Sequence, residues 1–232
     1  MAEKTRLTRR DLKGPDEFIT TFGRAVDWCK ENRTKVAAGA IGVVGIVALA
    51  LGTRAYLQWD ENKSSRDLWP MLNRAQALLQ SSPAADPSQL AAVEQSLQEH
   101  AGRHPGTRST VYSLYYLGSI AFSRGNYDLA ITQFRAGIAT GKDAGILRYL
   151  LRQAIATSLE AKGDFAAAAA AYRDAGAAAD GEMKNHSRLG EARVLGLAGK
   201  KTEAAALYRL ILQETPDSPL RELVEIQLAQ IG

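Results

Sequence analysis

GNYDLAITQF at residues 125–134, GDFAAAAAAY at 163–172 and GKKTEAAALY at 199–208 are three versions of one pattern. Each begins with glycine, has alanine five residues later and ends on an aromatic residue nine positions after the glycine. Glycine permits the tight turn after a helix, and alanine lets two helices approach closely. The aromatic ring, one turn further on, is expected to fill the gap between neighbouring hairpins. The pattern therefore predicts an all-α array of helix–turn–helix units.

A small residue also recurs at fixed spacing upstream of each turn. Gly118, Ala156 and Ala192 each precede a turn glycine by seven residues, and the turn glycines are 38 and 36 residues apart. This is the tetratricopeptide pattern, a helical hairpin of about 34 residues. We predict three units at about 111–140, 149–180 and 185–216, after a degenerate unit at 64–105 and before a capping helix at 218–231 that would bury Leu220, Leu223, Val224 and Leu228.

A different segment precedes the repeats. Lys35 and Arg54 bracket eighteen uncharged residues, Val36–Thr53. As a helix this run is about 27 Å long, close to the ~30 Å hydrocarbon core of a bilayer. We expect a single transmembrane helix at 36–53, a tail at 1–35 with a short amphipathic helix after Pro15, and the repeat domain at 54–232. A buried core helix is the other interpretation of such a run.

The basic residues are unevenly distributed. The tail at 1–35 holds nine Lys/Arg against six Asp/Glu, whereas residues 54–232 hold twenty against nineteen. Basic residues favour the cytoplasmic side, so we expect a cytoplasmic N-terminus and an exported repeat domain. The near-neutral repeat domain argues against nucleic-acid binding. A cleaved signal peptide, with cleavage near Ala50, is the alternative, and it would release a soluble repeat protein.

The N-terminal half of the chain resembles the YfgM-like family, an ancillary subunit of the bacterial Sec translocon. The resemblance runs from about Phe22 to Ile138 and includes VDW at 26–28, the glycine-containing span and RAY at 54–56. KGPDEF at 13–18 is an extension found in only some relatives. The resemblance implies a bacterial inner-membrane protein with a periplasmic tetratricopeptide domain. It also implies docking beside the translocon and cooperation with a membrane-anchored periplasmic chaperone, and it supplies no catalytic residues.

Few residues suggest chemistry. His100 and His104 have the four-residue spacing of a helical metal pair, but Gly102 and Pro105 predict that the helix ends there, so we expect a solvated helix end. The GxxGxxG spacing at 39–45 lies in the apolar run, where no strand precedes it, and is no dinucleotide motif. We therefore predict no enzyme activity, no cofactor, no metal and no small-molecule substrate.

The remaining prediction is a protein-binding surface. In stacked helical hairpins the first helix of each unit lines the concave face. Counting back from the turn glycines predicts that eight residues lie there: Tyr112, Tyr115, Ser119, Gln153, Thr157, Glu160, His186 and Arg193. Such a mixed, mildly aromatic surface suits an extended protein segment. Packing of the tyrosines against the preceding degenerate unit is the other interpretation.

Overall fold

A computed structural model describes residues 17–80, 86–142 and 145–231 of the chain, with side chains from residue 23 onward. Every regular element in these ranges is a helix, which confirms the predicted all-α class. The helices are α1 (Glu17–Glu31), α2 (Arg33–Gln80), α3 (Pro87–Arg103), α4 (Arg108–Ser123), α5 (Tyr127–Ala139), α6 (Ile146–Ala161), α7 (Phe165–Ala177), α8 (Gly181–Leu197), α9 (Lys201–Glu214) and α10 (Arg221–Ile231).

The chain divides into two compact units, residues 1–57 and 58–232. In the first unit, α1 occupies the predicted amphipathic segment, although Pro15 lies outside the described residues. Helix α2 contains a stretch that is long and apolar enough to cross a membrane, and none of that stretch is buried in the described structure. Its large apolar side chains are exposed, for example Ile41 and Leu49 at 73% each, so the interpretation as a buried core helix is wrong.

In the second unit, α4–α5, α6–α7 and α8–α9 form the three predicted hairpins. Gly125, Gly163 and Gly199 have φ of +75°, +85° and +78°, a conformation that glycine adopts without strain. Asn126 and Asp164 follow the first two glycines and cap the next helix, where each side chain accepts a backbone N–H bond. The turn glycine therefore ends one helix, as the repeated pattern predicts. In the first two hairpins the residue after it caps the next helix.

The three aromatic residues of the pattern, Phe134, Tyr172 and Tyr208, are buried, and the first two pack against a glycine. Phe134 covers Gly118 of its own hairpin, whereas Tyr172 covers Gly190 of the following hairpin. A Cβ on Gly190 would lie 2.6 Å from Cε1 of the tyrosine ring. The prediction that these rings fill gaps between hairpins therefore holds for Tyr172, while Phe134 also fills space inside its own unit.

Several predicted boundaries need correction. The transmembrane helix predicted at 36–53 and the start of the degenerate unit predicted at 64–105 are not separate elements, because both lie on α2. The three hairpins begin three to four residues before the predicted units. The last helix begins at Arg221 rather than at residue 218, and Leu223 on it is 45% exposed because only the face with Val224 packs against the stack. Helix α3 lies within the predicted degenerate unit at 64–105.

Candidate protein-binding groove

The first helices of two successive hairpins, α4 and α6, border a groove of about 290 Å³. Four of the eight predicted binding residues line it, namely Tyr115, Ser119, Gln153 and Thr157. The other lining residues were not predicted: Phe122, Phe134, Leu150 and Ala154. The structure thus brings half of the predicted set to one place and adds an apolar floor. None of the eight lining residues is charged.

Packing beneath the groove holds its floor in place. Phe134 is 2% exposed and its ring centre lies 5.9 Å from that of Tyr115. On the rim, the hydroxyl of Ser119 donates to the Tyr115 carbonyl at 2.9 Å, and that of Thr157 donates to the Gln153 carbonyl at 3.0 Å. Each hydroxyl oxygen still has acceptor capacity. The groove therefore offers an apolar pocket with uncharged polar groups at its edge.

Glu160 and Arg193 were predicted to face a partner, but the structure pairs them with each other. The two form an ion pair between α6 and α8. Tyr172 donates from its hydroxyl to Oε2 of Glu160 at 2.9 Å and lies 3.2 Å from the hydroxyl of Thr157. Burial raises the pKa of Tyr172, and the hydrogen bond with Thr157 opposes that shift. The phenol is therefore protonated and donates to Glu160, so this cluster joins the second hairpin to the third.

Gln153 also reaches across the repeat boundary. Its amide donates to the hydroxyl of Ser187 at 2.9 Å and to that of Tyr149, while Tyr149 donates to the Met183 carbonyl at 2.7 Å. A buried or half-buried amide keeps its hydrogen bonds unless a ligand replaces them. Gln153 therefore combines a structural contact with a position on the groove rim.

Tyr112 and His186 do not line the groove. Tyr112 is half-buried and packs against two core clusters, one centred on Phe134 and one that includes Leu68 of α2. It therefore joins the first hairpin to the preceding degenerate unit, as the other interpretation of the tyrosines expected. His186 is exposed on α8.

The predicted solvated end for His100 and His104 is wrong. His100 is fully buried, with Nε2 donating to the Ser64 carbonyl at 2.9 Å and Nδ1 2.9 Å from the hydroxyl of Ser113. His104 is 7% exposed and its Nδ1 lies 2.9 Å from a carboxylate oxygen of Asp60. Helix α3 does end at Arg103, but α2 and α4 cover that end. Burial is the main cause that lowers the pKa of His100.

The residues that the structure describes hold no group of three or more His, Cys, Asp or Glu side chains able to bind a metal ion. Cys29, the single cysteine, is exposed on α1. Sequence reasoning missed Phe122, although it follows Ser119 by three residues and so shares its helix face. Leu150 and Tyr149 were not predicted either. Counting from the turn glycine shows on which face of a helix a residue lies, but it does not show which neighbouring helix covers that face.

The tandem helical hairpins define a tetratricopeptide-like α-solenoid, a class of protein that generally acts as a non-enzymatic scaffold for other proteins. In agreement, a protein-family model described as "Tetratricopeptide repeat" matches residues 154–219, which supports a tetratricopeptide repeat protein. The matched segment covers most of the second hairpin and all of the third. A search of the curated proteins gave no match, and neither did a search of the solved structures. The resemblance to the YfgM-like family therefore remains an expectation from sequence.

Proposed function

We propose that this chain is a membrane-anchored scaffold that captures an extended, uncharged segment of another protein in the groove between α4 and α6. The observation that carries the proposal is the lining of that groove: aromatic and aliphatic side chains beneath a rim of hydroxyl and amide groups. Aromatic rings supply large contact area at low entropic cost. Rim groups such as Ser119 and Thr157 are suited to hydrogen-bond the main chain of an extended peptide.

The anchor in this proposal is the apolar part of α2, residues 36–53, with the N-terminus in the cytoplasm and the repeats in the periplasm. Its support is the exposure of that stretch and the excess of basic residues before it. In a bacterial host these features suit the inner membrane. The resemblance to YfgM-like proteins then favours the Sec translocon and a periplasmic chaperone as partners, where extended chains emerge from the export channel.

A second candidate function rests on the sequence around Ala50. Small residues at positions 48 and 50 follow an apolar run and have the form of a signal-peptidase site. Cleavage there would give a soluble periplasmic repeat protein that coordinates envelope assembly. Membrane fractionation together with the mass of the mature N-terminus separates the two: an intact N-terminus in the membrane fraction supports the anchor, and a soluble product that starts after Ala50 supports the alternative.

Site-specific photocrosslinking tests the groove. Probes at Tyr115 and Thr157 are expected to crosslink a partner protein, while a probe at Thr132, which is exposed on α5 and outside the groove, is expected to give none. Probes at Val43 and Ile46 examine the apolar run in parallel. If only those probes capture a partner, the span makes the contact and the groove proposal is wrong.

The uncharged lining also predicts which peptides bind. A groove that recognised a free C-terminus would need cations for the carboxylate, and none of its lining residues supplies one. A peptide bound in the groove should therefore keep its affinity when its C-terminus is amidated. A large loss of affinity on amidation would contradict the proposed chemistry.

A further inference from the structure

The second helices of the hairpins border two further grooves that occupy equivalent places in the repeat. One lies along α5, α6 and α7 and has a volume of about 360 Å³; the other lies along α7, α8 and α9 and has about 510 Å³. We call them the α5–α7 groove and the α7–α9 groove. Both are separate from the α4–α6 groove, because they share no lining residue with it.

Each of these grooves is lined by two arginines at matching repeat positions. Arg135 and Arg173 lie ten residues after their turn glycines. Arg152 and Arg188 lie eleven residues before the next turn glycine. The two grooves therefore carry arginines at the same two repeat positions, and each serves as an internal comparison for the other.

In the α7–α9 groove, carboxylates of the same chain neutralise both arginines. Arg173 contacts Glu191 with Nη2 2.6 Å from Oε1, and Arg188 forms an ion pair with Glu214. The hydrogen bond from Arg188 lowers the pKa of Glu214. Glu191 itself is 5% exposed, so the carboxylate that pairs with Arg173 is held in place by the fold. Lys184 and Glu203 also line this groove.

In the α5–α7 groove, the equivalent carboxylates are replaced by apolar residues. Ile155 stands at the position of Glu191, and Ala178 stands at the position of Glu214. Within the described ranges, neither Arg135 nor Arg152 makes an ion pair. Asp174 also lines this groove, but in the same ranges it forms no ion pair with either arginine. The groove therefore keeps a positive excess.

The floor of the α5–α7 groove is apolar. Ile138, Ile155 and Leu159 line it and are all partly buried, with alanines of α7 forming one wall. A phosphate or a lipid headgroup would need the cations but not this apolar floor. A protein segment that places an apolar side chain between carboxylates matches both features, since guanidinium groups bind carboxylates in a two-pronged geometry.

We propose that the α5–α7 groove is a docking site for an acidic protein segment, with an apolar side chain on the floor and carboxylates on Arg135 and Arg152. The α7–α9 groove does not take the same ligand, because Glu191 and Glu214 already occupy its arginines. This proposal does not depend on the one made for the α4–α6 groove, because the lining of the α5–α7 groove is positive and that of the α4–α6 groove is uncharged.

The test uses the full chain in detergent micelles and a fluorescently labelled peptide of alternating glutamate and leucine, followed by anisotropy. We expect saturable binding that weakens with salt, and at least about tenfold weaker binding of the matching glutamine–leucine peptide. Arg135→Gln combined with Arg152→Gln should weaken binding by a similar factor. Lys201→Gln combined with Arg209→Gln removes the same charge from exposed positions on α9 and should leave binding unchanged.

The most direct variant is Ile155→Glu, which restores the carboxylate found at Glu191. It should weaken binding about tenfold while both arginines remain, and Ile155→Gln, which changes shape without charge, should lose much less. Equal binding by Ile155→Glu and Ile155→Gln would overturn the proposal. So would phosphatidylglycerol that binds in an Arg135- and Arg152-dependent way while the acidic peptide does not, because the site would then recognise lipid.

Discussion

Replacing Gly190 by alanine tests the packing between the second and third hairpins. A Cβ at this position would lie 2.6, 2.7 and 2.9 Å from three ring atoms of Tyr172. Carbon atoms prefer separations of about 3.5–4.0 Å, so the ring has to move by roughly 1 Å. The ring has little freedom to move, because it is 3% exposed and its hydroxyl donates to Glu160 at 2.9 Å.

The magnitude follows from opposing contributions. Overpacking a filled core costs about 1–3 kcal/mol, and a weakened hydrogen bond from Tyr172 adds about 1 kcal/mol. Alanine regains about 1 kcal/mol over glycine inside a helix. We therefore expect Gly190→Ala to lower the free energy of unfolding by about 1–3 kcal/mol.

A matched control exists in the same helix. A Cβ on Gly196 would meet only Cδ1 of Ile231, at an ordinary contact distance of 3.7 Å. Gly196→Ala should therefore leave stability unchanged or raise it by up to about 1 kcal/mol. The assay is urea unfolding of fragment 58–232, which corresponds to the second compact unit, with an unchanged m-value as the check that the variants unfold in the same way.

A double-mutant cycle isolates the contact. Tyr172→Ala alone should cost about 3–5 kcal/mol, because it empties a buried site. In that background the alanine at position 190 no longer meets a ring, so Gly190→Ala should become neutral or stabilising. If Gly190→Ala stabilises the original protein as much as Gly196→Ala does, Tyr172 is not packed on Gly190 and the assigned contact is wrong.

Three further predictions concern other parts of the chain. Burial lowers the pKa of His100 below its ordinary 6.5, so the unfolded chain takes up the proton at a higher pH than the folded chain does. The free energy of unfolding should therefore fall as the pH drops below about 6.5, until the lower pKa of the folded state is passed. His100→Gln should make the free energy of unfolding depend less steeply on pH, as measured by urea unfolding at several pH values. Glu160→Gln should lower the free energy of unfolding by about 1–3 kcal/mol, because it weakens the group that accepts the hydrogen bond from Tyr172. Arg193→Gln should lower it by less than about 1 kcal/mol, because the Arg193 side chain is 44% exposed. Equal losses in urea unfolding would refute this order. A reporter active only in the periplasm, fused after Gly232, should be active, and activity from a cytoplasm-only reporter instead would reverse the orientation.

The positions of the hairpin turns and of the apolar helix follow from local sequence. A glycine at fixed spacing, an alanine five residues later and an aromatic residue nine residues later specify where helices end and which faces meet, because these depend on backbone conformation and on side-chain size. The hairpin turns at Gly125, Gly163 and Gly199 follow directly. The apolar run at 36–53 is equally local, since its length and composition alone make it able to cross a membrane.

What covers each helix face depends on contacts that form only in the folded chain. His100 looked like a solvent-facing residue at a helix end, but α2 and α4, whose contacting residues are 36 and 13 positions away in sequence, bury it. Glu160 and Arg193 had the right helix face for a partner, yet they meet each other across 33 residues. Likewise, Arg135 and Arg173 occupy equivalent repeat positions. Glu191 neutralises Arg173, whereas Ile155 at the corresponding place leaves Arg135 without a carboxylate from the next helix. Periodicity fixes the face on which a side chain lies, whereas its charge balance and burial depend on residues that only folding brings within contact distance.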